Sequence, residues 1–374
     1  MIRTGHVHGL AGDDMPADWP PLTADELSRL LARHPALGAV QAIAWNSPRP
    51  LSAAALVETR GERVFIKRHH QRVRSATTLA EEHAFAAWLR ERGVPVPRVL
   101  ADADGHTATT LGEWVYEVQA PAHGIDVYRD TVSWVPPMVP GHAHAAGGML
   151  ARLRAAAADY AAPQRSTHVL VARSELLAAD DPVSALAAQL PDRCGLAAYL
   201  ATRDWRHELA AAIAPFHAAV HARVQAQPRC WTHGDWHVSN LCWSGVGADA
   251  RISDVLDFGL AARTFALFDL ATAIERNAIA WLEGPDDRAR PRIAQALIDG
   301  YRDVQPLDRD ALAFVADLLP VVHLDFALSE VEYFSAITGS RAHADVAWDA
   351  FLRGHAAWFR TAPGRQLLAA IRAA

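Results

Sequence analysis

The stretch "THGDWHVSN", residues 232 to 240, sets an aspartate between two histidines and an asparagine five residues further on. Three readings compete for it: a metal cage around His233 and His237, a piece of packed core, or the catalytic loop of a phosphoryl-transfer enzyme. In the third, Asp235 held in a tight loop orients a substrate hydroxyl and takes its proton, and the amide oxygen of Asn240 reaches a magnesium ion. Seventeen positions beyond Asn240, "DVLDFG" carries Asp257 from an apolar run into a glycine turn. That is a suitable way to bring a second hard oxygen to the same ion. Magnesium takes few protein carboxylates and completes its shell with water and phosphate oxygens, a preference that an Asn plus an Asp satisfies.

Taken together, His233-Gly234-Asp235-x4-Asn240 followed by Asp257-Phe258-Gly259 resembles the aminoglycoside phosphotransferase and choline kinase superfamily, the small-molecule relatives of protein kinases. Protein kinases carry H-R-D-x4-N and D-F-G, and glycine in place of that arginine points to the small-molecule branch. The resemblance spans about residues 35 to 335 and implies a bilobal, protein-kinase-like α+β fold. A small antiparallel five-stranded N-lobe with one main helix, a larger and mostly helical C-lobe, and ATP in the cleft are what it predicts. It also assigns roles. Asp235 would be catalytic, and Asn240 and Asp257 would hold Mg2+. Lys67, ending "VFIK", would touch the α/β phosphates with Glu82 as its ionic partner. Glu117 and Val118, in "EWVYEVQA", would offer hinge backbone to adenine. Asp269 in "FALFDLA" would brace the catalytic loop rather than react. The implied reaction is transfer of the γ-phosphoryl group of ATP to a hydroxyl of a small molecule: an aminoglycoside, an amino alcohol, a homoserine-like metabolite or a sugar.

Three departures from the family pattern stand out. The segment "NSPRPLSA", where a nucleotide-covering loop belongs, has no glycine, whereas protein kinases use G-x-G-x-x-G. Arg154 stands where the family commonly has histidine. Trp236 and His237 make the catalytic loop bulky.

Elements able to position these residues can be read from local patterns. "LTADELSRLLARH" predicts a helix with a Thr23–Glu26 capping box. "AVQAIAW", "AAALVET" and "VFIK" predict strands, the last two joined by a hairpin at "RGER". "SATTLAEEHAFAAWLRERG" predicts a helix boxed by Thr78 and Glu81 and closed at Gly93. The prolines at 95 and 97 force an extended exit, and "HTATTL" and "EWVYEVQA" complete the strand-rich part. The text then turns helical. The expected organisation is a flexible leader over 1–21, the N-lobe over 22–119 and the C-lobe over 120–374.

At 374 residues the chain exceeds what one core usually supports. Its 51% apolar and 21% charged residues are those of a globular protein. A net charge of −6 argues against a nucleic-acid partner and permits a cationic substrate. No apolar run reaches the length of a membrane span, and the first 21 residues lack a secretory h-region. Three cysteines without metal spacing fit a reduced, cytoplasmic setting. His217 and His221, one helical turn apart, have zinc-compatible spacing but lack an HExxH glutamate, so they read as packing residues. The pairs at 6–8, 69–70 and 142–144 read as surface histidines. Asp325, Glu330 and Glu332 read as a solvated helix face, with a cationic acceptor as the alternative. Three functional alternatives remain: a metal-dependent phosphoesterase, a protein-directed kinase of the same superfamily, and a non-catalytic nucleotide-binding pseudokinase.

Overall fold

The computed structural model describes residues 6–8, 14–132 and 135–374, with backbone alone at 6–8 and 14. The expected surface histidines His6 and His8, and Trp134, lie outside the described side chains. The chain divides into two compact units. The first takes Met1–Gly124 together with Ser253–Leu256, and the second takes Ile125–Ile252 and Asp257–Ala374. The first division falls after Gly124, and one short later segment groups with the first unit.

In the first unit, α1 (Ala24–Leu31) opens on the expected capping box: Thr23 and Glu26 each satisfy the other's backbone N–H. A five-stranded antiparallel sheet follows, built from β1 (Val40–Asn46), β2 (Ala53–Thr59), β3 (Arg63–His70), β4 (Thr109–Leu111) and β5 (Trp114–Gln119). Its spatial order is β1-β2-β3-β5-β4. Strand alternation sorts the residues of β3 between two faces. Val64 and Ile66 join Leu27, Leu30, Val57 and Val118 in one apolar core, while Lys67 and His69 face the other way. Each fully buried Leu, Val or Ile there contributes roughly 1.5–3 kcal/mol. α2 (Ala76–Glu91) starts three residues before the expected box: Ser75 is the cap and Thr78 its N3 partner. Both pairs fit the spacing rule, and Ser75 comes first in the chain. Gly93 closes the helix at φ 82°.

The leader is not loose along its whole length. Trp19 packs on the core, stacks on His70 at 5.3 Å and donates its indole N–H to the Leu51 carbonyl at 3.1 Å. Asp18 accepts from the Leu51 N–H at 3.2 Å. Leu51 sits in the glycine-free loop after β1 with φ 74°, the left-handed region that a leucine occupies only at a cost. Trp19 and Asp18 hold it there.

The second unit is mostly helical. α3 (Pro140–Ala157) crosses α6 (Pro291–Arg302) so closely that a Cβ on Gly147 would stand 1.9 Å from the Leu297 carbonyl oxygen. Only hydrogen fits at that crossing. His142 is fully buried, hydrogen-bonded to Tyr128 Oη at 2.6 Å and Gly247 O at 3.0 Å, and His69 is also buried. The surface reading fails for both, because each imidazole has buried partners that satisfy it. His217 and His221, on α4 (Trp205–Gln225), stack on each other with ring centres 5.2 Å apart. α7 (Leu324–Glu332) is buried throughout rather than solvated. Glu332 pairs with buried Arg193 at 2.7 Å, which is how an acidic helix enters a core. Among the described residues, no helix is long and apolar enough to cross a membrane.

Candidate active site

The loop bearing Asp235 leaves a short two-stranded ladder, β6 (Cys230–Thr232) against β9 (Ala262–Thr264), in which the Thr232 and Thr264 hydroxyls meet at 2.7 Å. Two further strands, β7 (Leu241–Trp243) and β8 (Ile252–Val255), follow the loop in sequence. Gly234 turns the chain at φ 77°, and a Cβ there would meet the Leu260 carbonyl oxygen at 2.7 Å and the Ala172 methyl at 2.6 Å. Backbone conformation and space both demand glycine, so the arginine of the H-R-D pattern has no room here.

A single helix, α5 (Ala266–Ala278), braces the loop. Asp269 accepts the N–H groups of His233 and Gly234, each at 2.9 Å. It thereby braces the loop, the part the resemblance implies for it. Two turns later Asn277 accepts the Val238 N–H at 3.0 Å and donates to the Trp236 carbonyl at 2.8 Å. Beside it Arg276 places Nη1 2.9 Å from Asp235 Oδ1. Asp269, Arg276 and Asn277 are spaced i, i+7, i+8 and so share one face of the helix. Sequence reasoning missed the last two, although that spacing from a motif aspartate was the available signal.

Asp235 is mostly buried. Burial alone would raise its carboxyl, but the Arg276 charge, with His237 and His233, holds it well below the usual carboxylate range. Asn240 donates its amide to the Asp235 carbonyl at 3.0 Å and to Oδ2 at 3.1 Å. With its NH2 so engaged, its amide oxygen is the atom suited to a cation. His233 is fully buried, its Nδ1 accepting the Asp235 N–H at 3.2 Å and its ring packed on Trp236 and Phe258. Its Nδ1 is spent on the loop's own backbone, which is a scaffold's work. Trp236 is fully buried and donates to the Ala146 carbonyl at 3.2 Å, so it walls the core. His237 bonds the Ser239 hydroxyl at 2.7 Å and lies 3.5 Å from Asp235 Oδ2. Cys230 is filler: burial pushes its thiol up to about 11, leaving little thiolate.

Asp257 also belongs to the second unit. It is exposed, with φ 57°, and accepts the Gly259 N–H at 3.3 Å. A non-glycine residue in the left-handed region is strained, and such strain clusters where a side chain must be aimed. An amide oxygen and a carboxylate are the hard donors that magnesium prefers, so this pair fits the ion.

The nucleotide-binding residues expected from sequence lie in the first unit. Lys67 stands on β3 opposite Glu117 of β5. Glu117 is buried, its Oε1 3.2 Å from His69 Nε2 and its Oε2 2.9 Å from His83 Nε2. Burial opposes ionisation, but these hydrogen bonds and the Lys67 charge hold its carboxyl well below the ordinary value. Glu82 is buried on α2, 3.9 Å from Arg74 Nε. Glu117 and Val118 lie inside β5, paired with β3 on one side, and the Val118 carbonyl accepts the Leu100 N–H at 2.7 Å. A carbonyl spent within the sheet is not offered to a base.

Residues 51–307 match the sequence profile of the phosphotransferase enzyme family, and the chain belongs to that family. It is an enzyme that transfers phosphoryl groups to hydroxyl acceptors. No curated protein sequence matches it. Among solved structures it is similar to a microcompartment-associated aminopropanol kinase, at 15% identity and TM-score 0.60 over 92% of this chain and 100% of that one. An aminoglycoside phosphotransferase from Alicyclobacillus acidocaldarius gives 17% identity and TM-score 0.53 over 95% and 97%. An amicoumacin kinase in complex with AMP-PNP, Ca2+ and Ami gives 16% and 0.53 over 88% and 94%. These likenesses establish the protein-kinase-like α+β fold.

Proposed function

We propose that the protein transfers the γ-phosphoryl group of ATP to a hydroxyl of a small molecule, with Asp235 as the catalytic carboxylate. The observation that carries this reading is the Asp235 environment: an ionised, mostly buried carboxylate clamped by Arg276 and Asn240 in a loop braced by Asp269. The acceptor oxygen attacks the γ-phosphorus, the bond to the β-phosphate oxygen breaks, ADP leaves with the electron pair, and the acceptor proton passes to Asp235. A carboxylate held by a guanidinium on one oxygen and an amide on the other has its plane fixed and its lone pairs partly engaged. Its main work is therefore orientation, which suits a loose phosphoryl transition state in which the proton moves late. Asn240 and Asp257 would hold a magnesium ion, which when bound supplies charge compensation at the phosphate oxygens. Lys67 would contact the α/β phosphates, with Glu82 as its ionic partner.

The similar structures are of kinases for aminopropanol, aminoglycosides and amicoumacin, which supports a hydroxylated small molecule as the acceptor class. The test is ADP release with magnesium-ATP against a panel of amino alcohols, aminoglycosides, homoserine-like metabolites and sugars. ADP release that requires both acceptor and magnesium, and that Asp235→Asn abolishes, is the expected result. Phosphate-ester hydrolysis without ATP, or tight nucleotide binding with no turnover on any acceptor, would overturn it.

A further inference from the structure

The Asp235 carboxylate is gripped from two sides by unlike groups. Arg276 Nη1 lies 2.9 Å from Oδ1, while the Asn240 amide donates to Oδ2 at 3.1 Å with His237 Nε2 3.5 Å away. An aspartate's terminal torsion is broad and two-fold, so nothing intrinsic fixes the carboxylate plane. Asn240 alone leaves it free to swing about one anchored oxygen. Arg276 supplies the second anchor, and it is itself held: it is 8% exposed, and its guanidinium carbon lies 5.0 Å over the Phe326 ring of α7. It arises from the same helix face as Asp269 and Asn277, so one rigid element fixes both the loop backbone and the side chain. Glu275, the other acid beside Arg276, sits 3.2 Å from His355 Nδ1, on the side of His323 and His355.

We propose that Arg276 is a positioning residue for phosphoryl transfer, acting through Asp235 by fixing the orientation of its carboxylate. This rests on Asp235 being the catalytic carboxylate. Its contribution would appear in the chemical step and not in nucleotide binding, because Arg276 acts only through the acceptor's partner. Arg276→Met keeps a long stem against Phe326 and removes both the charge and the donors. It is expected to lower kcat by about 10- to 100-fold, the scale for small misplacement of a reacting group, with the KM for ATP unchanged. Arg276→Lys should recover part of the loss, and added guanidinium ion should raise the kcat of Arg276→Ala.

Wild-type kcat in folded Arg276→Met would overturn the proposal. So would a loss that Arg276→Lys and guanidinium leave untouched and that follows the unfolded fraction, since that marks a purely structural role. Asp235→Asn separates the two levels. If it keeps activity, the reading of Asp235 fails; if it is inactive while Arg276→Met is normal, only the role of Arg276 fails.

Discussion

Glu117 in the first unit and Asp235 in the second are both carboxylates withdrawn from water, and both keep their charge. Glu117 does so with side-chain donors on each oxygen: His69 on one, His83 and the Gln119 amide on the other, the amide at 2.6 Å. Asp235 is held by a permanent cation on one oxygen and by an amide on the other. A carboxylate whose lone pairs are filled by its own sheet and helix is a fixture. One pinned by ionic attraction at its edges stays ionised, keeps a set orientation and can still receive another hydroxyl. Burial alone does not separate structural acids from chemical ones; the identity of their partners does.

The strongest way to break this comparison is to neutralise each acid in turn. Asp235→Asn keeps the shape of the side chain and should remain folded while losing at least roughly 10³-fold in kcat, the scale for a group that both orients and deprotonates the acceptor. Glu117→Gln should do the reverse, with a loss of about 1–3 kcal/mol in urea unfolding and less than a tenfold change in kcat. If Glu117→Gln removed turnover without loss of stability, the division of labour would be wrong.

Two turns of chain sharpen the contrast next. Gly234→Ala in the second unit adds a clash with the Leu260 carbonyl to an unfavourable φ, and should cost about 2–4 kcal/mol. Gly93→Ala in the first has φ 82° but open space around the added methyl, and should cost only about 1 kcal/mol. Equal losses in thermal unfolding would mean that conformation, not crowding, dictates the glycine of the Asp235 loop.

A smaller effect concerns pH. Burial pushes His323 in the second unit down to about 4, and lowers His69 in the first. The unfolded chain takes up these protons near pH 6.5 and the folded chain does not, so stability falls as pH drops from about 6.5 toward 4. His323→Gln should flatten that slope in denaturant unfolding followed across this range, and an unchanged slope would exclude His323 as a contributor. Smallest of all, Trp19→Ala should cost about 1–2 kcal/mol and speed amide exchange in residues 47–52, leaving α5 and its loop unaffected. Unaltered exchange there would show that Asp18 alone holds the loop.

What could be read from sequence was what is contiguous in it. The Thr23–Glu26 box, the β2–β3 hairpin and the spacing from His233 to Asn240 each declare themselves within a few residues. Asp269 was legible because it belongs to a motif of its own. Arg276 and Asn277 were harder, since their partners lie about forty positions away and only their spacing from Asp269 places them on the face that meets the loop. The state of the Val118 carbonyl was not legible either, because an apolar strand does not reveal which of its carbonyls are already spent; only the Leu100 contact shows that. The acidic series on α7 misled for a related reason, because Arg193, which accompanies Glu332 into the core, is distant in the chain.

Leu51 has a consequence for experiment. Its left-handed backbone comes from two residues more than thirty positions earlier rather than from its own side chain. Because one of those residues is an indole stacked on His70, the state of the loop is written into the emission of a single tryptophan. The difference spectrum between the protein and its Trp19→Phe variant would follow that loop through a titration with nucleotide, with no label added.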